Sequence, residues 1–141
     1  MGKASTNQIK VSVTREYAWE MGHALANHDG KCFNPHGHNY RAEVEFSGPI
    51  TRESGMVVDF AELDKRIEPY LKEHYDHKFL FNKEDKRFSE DYGTKVDKEP
   101  TAENLALWIW QELETMFGTR TNLDRITVWE TDKASATIRR S

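Results

Sequence analysis

The chain has one cysteine, Cys32, so no intramolecular disulfide framework can form. A lone free thiol fits a reducing compartment, and a cytoplasmic protein is expected. Long apolar runs are missing. The longest, Leu105 to Trp110, is far too short to cross a bilayer, so no membrane partner is expected. No signal-peptide core opens the sequence. Gly2 followed by Thr6 matches an acylation pattern, read as a chance match in a loose polar leader over 1–7. Basic excess is missing too. The net charge is −4, which leaves no surplus of lysine and arginine to neutralise phosphates, and a nucleic-acid partner is not expected. Internal repeats and low-complexity stretches are also absent.

What remains is enough to fold. Hydrophobic residues make up 37% of 141 positions, sufficient for one domain, 1–141, with a real core. From Ile9 an alternating pattern runs through Val11, Val13, Tyr17, Trp19 and Met21 to His23, the mark of a half-buried strand. A loop rich in Asn, Asp and Gly follows. A second alternating run places His36, His38, Tyr40, Ala42, Val44 and Phe46 on one face. Asp59 reads as a helix N-cap, and Phe60, Leu63, Ile67, Leu71 and His74 fall at helical spacing. Pro69 inside that pattern predicts a kink or interruption. The charged stretch 83–99 reads as an exposed loop or insertion. Thr101 caps a second helix with a stripe of Leu105, Trp108, Ile109, Leu113 and Met116, ended by Gly118. Two short strands close the chain, with Ile126, Val128 and Glu130 sharing a face. The order β-β-α-α-β-β argues for an α+β fold: an antiparallel four-stranded sheet with two helices on one face.

The stretch Cys32 to Tyr40 carries the chemistry. His36 and His38 stand at i and i+2, side by side on a strand, and His23 emerges on the same apolar face of the neighbouring strand. Catalytic zinc takes three protein ligands and keeps one position open. Three imidazoles on an apolar face without a shared ligand would leave buried polar atoms unsatisfied. A zinc site at His23, His36 and His38 is therefore expected. Cys32 is either a fourth ligand, which would close the site, or a nearby thiol of lowered pKa that acts as a base. Spacing does not choose between them.

Cys32-x-x-x-His36-Gly37-His38-Asn39-Tyr40, the upstream His23, Asp76-His77, Pro100-Thr101-Ala102-Glu103-Asn104 and Glu130-Thr131 stand in the same order as motifs of the 6-pyruvoyl-tetrahydropterin synthase superfamily. The chain resembles that family from about Tyr17 to about Ile138. The three-residue gap between Cys32 and His36 looks more like its bacterial 6-carboxy-tetrahydropterin branch, which serves queuosine biosynthesis. The resemblance implies the tunnelling fold, a hexamer of two stacked trimers, and active sites between subunits. It implies zinc at His23, His36 and His38, a general base at Cys32, an acid/base pair at Asp76 and His77, and a pterin anchor at Glu130. Thr101 and Glu103 follow as secondary substrate contacts. The implied substrate is 7,8-dihydroneopterin triphosphate, and the implied products are 6-carboxy-5,6,7,8-tetrahydropterin, acetaldehyde and triphosphate. Pyruvoyl synthesis, another pterin substrate, and a structural zinc module stay as alternatives. Departures from the family pattern fall at Met21-Gly22, Ala24, Tyr75 and the long 83–99 stretch. None removes a group the chemistry needs.

Overall fold

The computed structural model describes residues 9–118 and 121–141; the polar leader 1–7, with its acylation pattern, lies outside them. Strands β1 (Val11–His23) and β2 (His36–Gly48) form an antiparallel pair. Helix α1 (Phe60–His74) follows, then two short strands, β3 (Phe79–Asn82) and β4 (Thr94–Val96). Helix α2 (Ala102–Phe117), β5 (Asn122–Thr131) and β6 (Ala134–Arg139) complete the chain.

The two periodicities read from sequence hold. Tyr17, Trp19, Met21 and His23 of β1 are buried, as are Tyr40, Ala42, Val44 and Phe46 of β2. Apart from His23, these side chains form one cluster with Leu63, Ile67 and Leu71 of α1 and with Leu105, Ile109 and Leu113 of α2, so both helices cover the same face of the sheet. Each fully buried side chain of this size contributes roughly 1.5–3 kcal/mol. Asp59 caps α1 by accepting from the Ala61 N–H at 2.9 Å, and Thr101 caps α2 by accepting from the Asn104 N–H at 3.2 Å.

The sheet corrects the expected architecture. Among the described residues it has six strands, not four, in the order β4-β3-β1-β2-β5-β6, and it is mixed rather than antiparallel. Strand β3 runs parallel to β1, and β4 runs parallel to β3. Both added strands are too short, at 4 and 3 residues, to display a period-2 pattern. Residues 83–99 are likewise not a plain exposed loop. They contain β4 and a turn whose Phe88 and Tyr92 pack on Phe79. Gly93 is required there, because a Cβ would collide with the Phe79 carbonyl oxygen. The expected break at Pro69 does not occur, and α1 runs through it. Proline at 69 removes the N–H that would bond the Lys65 carbonyl. Both residues lie on the exposed side, where water satisfies that group, while Leu63, Ile67 and Leu71 pin the helix from below.

Candidate active site and metal centre

The β1–β2 register sets His23 directly opposite His36, and Met21 opposite His38. Alternation then turns all three imidazoles to the buried face. Their candidate ligand atoms lie within 4.8 Å of one another. His23 Nδ1 donates to the Pro100 carbonyl at 2.7 Å, and His36 Nδ1 donates to the Asn34 carbonyl at 2.7 Å. Each bond leaves Nε2 as the acceptor nitrogen, and those two Nε2 atoms stand 2.9 Å apart. His38 Nε2 is buried with no partner in hydrogen-bond geometry. Two nitrogen lone pairs and the buried His38 Nε2 thus converge. That is the donor set of a metal site, and the carbonyls that hold the ring N–H groups are the outer support such ligands ordinarily have. Burial pushes the His23 and His38 imidazoles below their ordinary pKa, an effect opposed by the nearby Glu130 carboxylate. Lowered values keep the rings in the neutral form that ligates.

Glu130 projects from β5 toward the same place. Its carboxylate oxygen is 3.2 Å from His38 Nε2, within ion-pair distance although off the hydrogen-bonding direction. No lysine or arginine pairs with Glu130 among the described residues. Tyr40 lies beneath the triad, its hydroxyl 3.3 Å from His23 Nδ1. Its phenol is pushed well above the usual range by burial and by the nearby Glu130 carboxylate. Cys32 sits half-buried on a short 3-10 turn, Lys31–Phe33, outside the ligand group.

Residues 12–141 match the family described as 6-pyruvoyl tetrahydropterin synthase. The chain belongs to this family. It is 30% identical over 132 residues to a 6-carboxy-5,6,7,8-tetrahydropterin synthase of Haemophilus influenzae, covering 84% of this chain and 92% of that one. It is 36% identical over 106 residues to a 6-pyruvoyl tetrahydrobiopterin synthase of Drosophila melanogaster, covering 74% of this chain and 58% of that one. Among solved structures, a Caenorhabditis elegans 6-pyruvoyl tetrahydropterin synthase superposes with a TM-score of 0.73 at 28% identity, over 94% of this chain and 97% of that one.

The remaining residues that the family pattern singles out do not all gather at the triad. Asp76 and His77 form a couple, with His77 Nδ1 donating to Asp76 Oδ1 at 2.8 Å. The couple is fixed to the edge of β1: the Glu20 N–H donates to Asp76 Oδ1 at 3.2 Å, and the His77 N–H donates to the Glu20 carbonyl at 2.6 Å. His77 has φ of 60°, a strained value for a side chain of this size and a common feature of functional positions. Its Nε2 lies 3.4 Å from the Glu20 carboxylate. Glu20 and His23 have opposite parity on β1, and the His77 ring lies beside the Glu20 carboxylate. It rims a groove of about 450 Å3 with Glu20, Met21, Asn39, Lys78 and the triad's His38. The facing pair Gly22 and Gly37 forms the groove floor, where side chains are missing. Thr101 acts as a helix cap one residue from the Pro100 carbonyl that holds His23. Glu103 is exposed in the first turn of α2.

Sequence reasoning missed the Asn34 and Pro100 carbonyls, since any residue supplies a carbonyl. It also missed Glu20, which binds the Asp76-His77 couple through its backbone. Alternation marked Glu20 only as a solvent-side strand residue.

Proposed function

We propose that this chain is a zinc-dependent lyase that converts 7,8-dihydroneopterin triphosphate to 6-carboxy-5,6,7,8-tetrahydropterin, with release of acetaldehyde and triphosphate. The observation that carries the reading is the convergence of three imidazole nitrogens beside a carboxylate that no lysine or arginine pairs among the described residues, in a chain of this family. Similarity to the Haemophilus influenzae synthase over nearly its whole length supports the carboxy product. A zinc ion held by His23, His36 and His38 would supply Lewis acidity toward the substrate's side-chain hydroxyls.

The other roles belong to the chain's own groups. Glu130 presents two carboxylate oxygens to the parallel N–H donors of the pterin edge, a bidentate charge-assisted pair that fixes the ring. Cys32 accepts a proton from the substrate side chain, since its turn stands beside the ligands without being one of them. Asp76 holds the Nδ1 proton of His77, which frees Nε2 to take and return a proton at a substrate oxygen. That couple is held by Glu20, a β1 residue of opposite parity to His23, and we assign the couple that serves each triad to a neighbouring copy. A hexamer of two trimers with active sites between subunits satisfies this requirement, and Thr101 and Glu103 then lie at the rim as secondary contacts. Among the described residues no helix is long and apolar enough to cross a membrane, and a cytoplasmic location suits the free thiol.

A second reading, synthesis of the pyruvoyl product, is favoured by the 36% identity to the Drosophila melanogaster enzyme. The common test is consumption of 7,8-dihydroneopterin triphosphate. Metal-loaded protein is expected to consume it, and chelator-treated protein is not. Cys32→Ala should keep its zinc and lose turnover by roughly 10²–10⁴-fold, the usual worth of a positioned base. Unchanged substrate with the metal-loaded protein would sink the proposal.

A further inference from the structure

The turn that carries Cys32 is pinned at three successive carbonyls. The Cys32 carbonyl accepts from the Leu25 N–H at 2.9 Å, and the Asn34 carbonyl accepts from His36 Nδ1 at 2.7 Å. Both of those donors belong to the same stretch of chain as the turn. The carbonyl between them, that of Phe33, accepts from Arg87 Nη1 at 2.6 Å, and Arg87 comes from the distant β3–β4 connection. The Arg87 guanidinium also stacks on Phe33, 3.5 Å from the ring centroid. The other edge of the fork is fixed by Asp85, with Nε donating to Oδ1 at 2.9 Å and Nη2 donating to Oδ2 at 2.7 Å. The Asp85 side chain is only 4% exposed. Phe88 lies against the same guanidinium and is itself packed on Phe79 and Phe81.

Burying a carboxylate in a surface connection is costly unless its partner is held in good geometry. Beyond its own connection, the bond this pair makes is to the Cys32 turn: Phe33 is 39% exposed, and the bond it receives is to backbone. A planar, stacked, bidentate guanidinium fixes direction as well as distance.

We propose that Arg87, oriented by Asp85, is a positioning residue that sets the direction of the Cys32 thiol relative to the His23–His36–His38 cluster. Through the same turn it also steadies the Asn34 carbonyl that orients His36. The catalytic consequence rests on the reading of Cys32 as proton acceptor; the geometric one does not.

Because Cys32 is the only cysteine, alkylation of the zinc-loaded full chain by iodoacetamide, followed by intact mass, reports this thiol alone. Arg87→Ala is expected to raise the alkylation rate several-fold and to lower kcat roughly 10- to 100-fold with KM within about twofold, the effect of a misdirected group. Arg87→Lys keeps the charge but not the stacked fork, and should resemble the alanine variant. Phe33→Leu removes only the stack and provides a milder variant should Arg87→Ala not fold. An alkylation rate and kcat unchanged from wild type in both Arg87→Lys and Phe33→Leu would overturn the proposal. Wild-type turnover in Cys32→Ala would instead remove the catalytic reading of the thiol, while a raised alkylation rate in Arg87→Lys would still support the clamp.

Discussion

Two neutral imidazoles that point their lone pairs at each other across 2.9 Å repel, and a cation between them relieves the repulsion. This is why the triad matters more than any single histidine. Strand parity and the pairing of β1 with β2 made His23, His36 and His38 legible from sequence, because alternation fixes the face without any tertiary information. Glu130 was legible by the same rule on β5. The supporting carbonyls of Asn34 and Pro100 were not, nor was the Asp85–Arg87 pair, whose charges look like any others in a charged stretch. Glu130→Gln keeps the shape and loses the charge. Its expected effect is a KM for the pterin raised about 10- to 100-fold, the worth of about 1.5–3 kcal/mol in a charge-assisted bond. Steady-state kinetics with zinc content measured in parallel checks this. An unchanged KM would show that Glu130 does not hold the ring.

At the scale of elements, α1 is tied to β1 by more than apolar contact. Asp64 accepts from Arg15 Nε at 2.9 Å, from Arg15 Nη2 at 2.8 Å and from the Tyr17 hydroxyl at 2.8 Å. The Arg15 guanidinium holds the Asp64 carboxyl below its ordinary pKa. A folded-state value below the unfolded one adds stability that is present above the unfolded pKa, near 3.9 on the reference scale, and lost as pH falls through the folded value. Asp64→Asn should therefore melt a few degrees below wild type at neutral pH, with the gap closing as the pH drops below about 4. Melting curves across that range decide it, and a gap independent of pH would contradict the assignment. The long elements were readable because each shows many turns of its period. Strands β3 and β4 were not, since their identity depends on the β1 edge they meet. A parallel partner supplied by tertiary structure leaves no local signature in a three- or four-residue segment.

At the scale of the whole molecule, one protomer carries a triad beside Glu130 and an Asp76-His77 couple held by Glu20, a β1 residue of opposite parity to His23. If each site joins halves from two copies, single-site variants should complement. Cys32→Ala and His77→Ala, each inactive alone, should regain roughly a quarter of wild-type activity when dissociated, mixed in equal amounts and reassembled, as random pairing across an interface requires. No recovery would place both halves of the site in one protomer.

The central claim concerns the bond that is broken, and product identity tests it most directly. Zinc-loaded protein should be given 7,8-dihydroneopterin triphosphate and its products identified by mass. The expected products are 6-carboxy-5,6,7,8-tetrahydropterin, acetaldehyde and triphosphate, with none of the three in the chelated control. A pterin that keeps its three-carbon side chain, with no acetaldehyde, would contradict it.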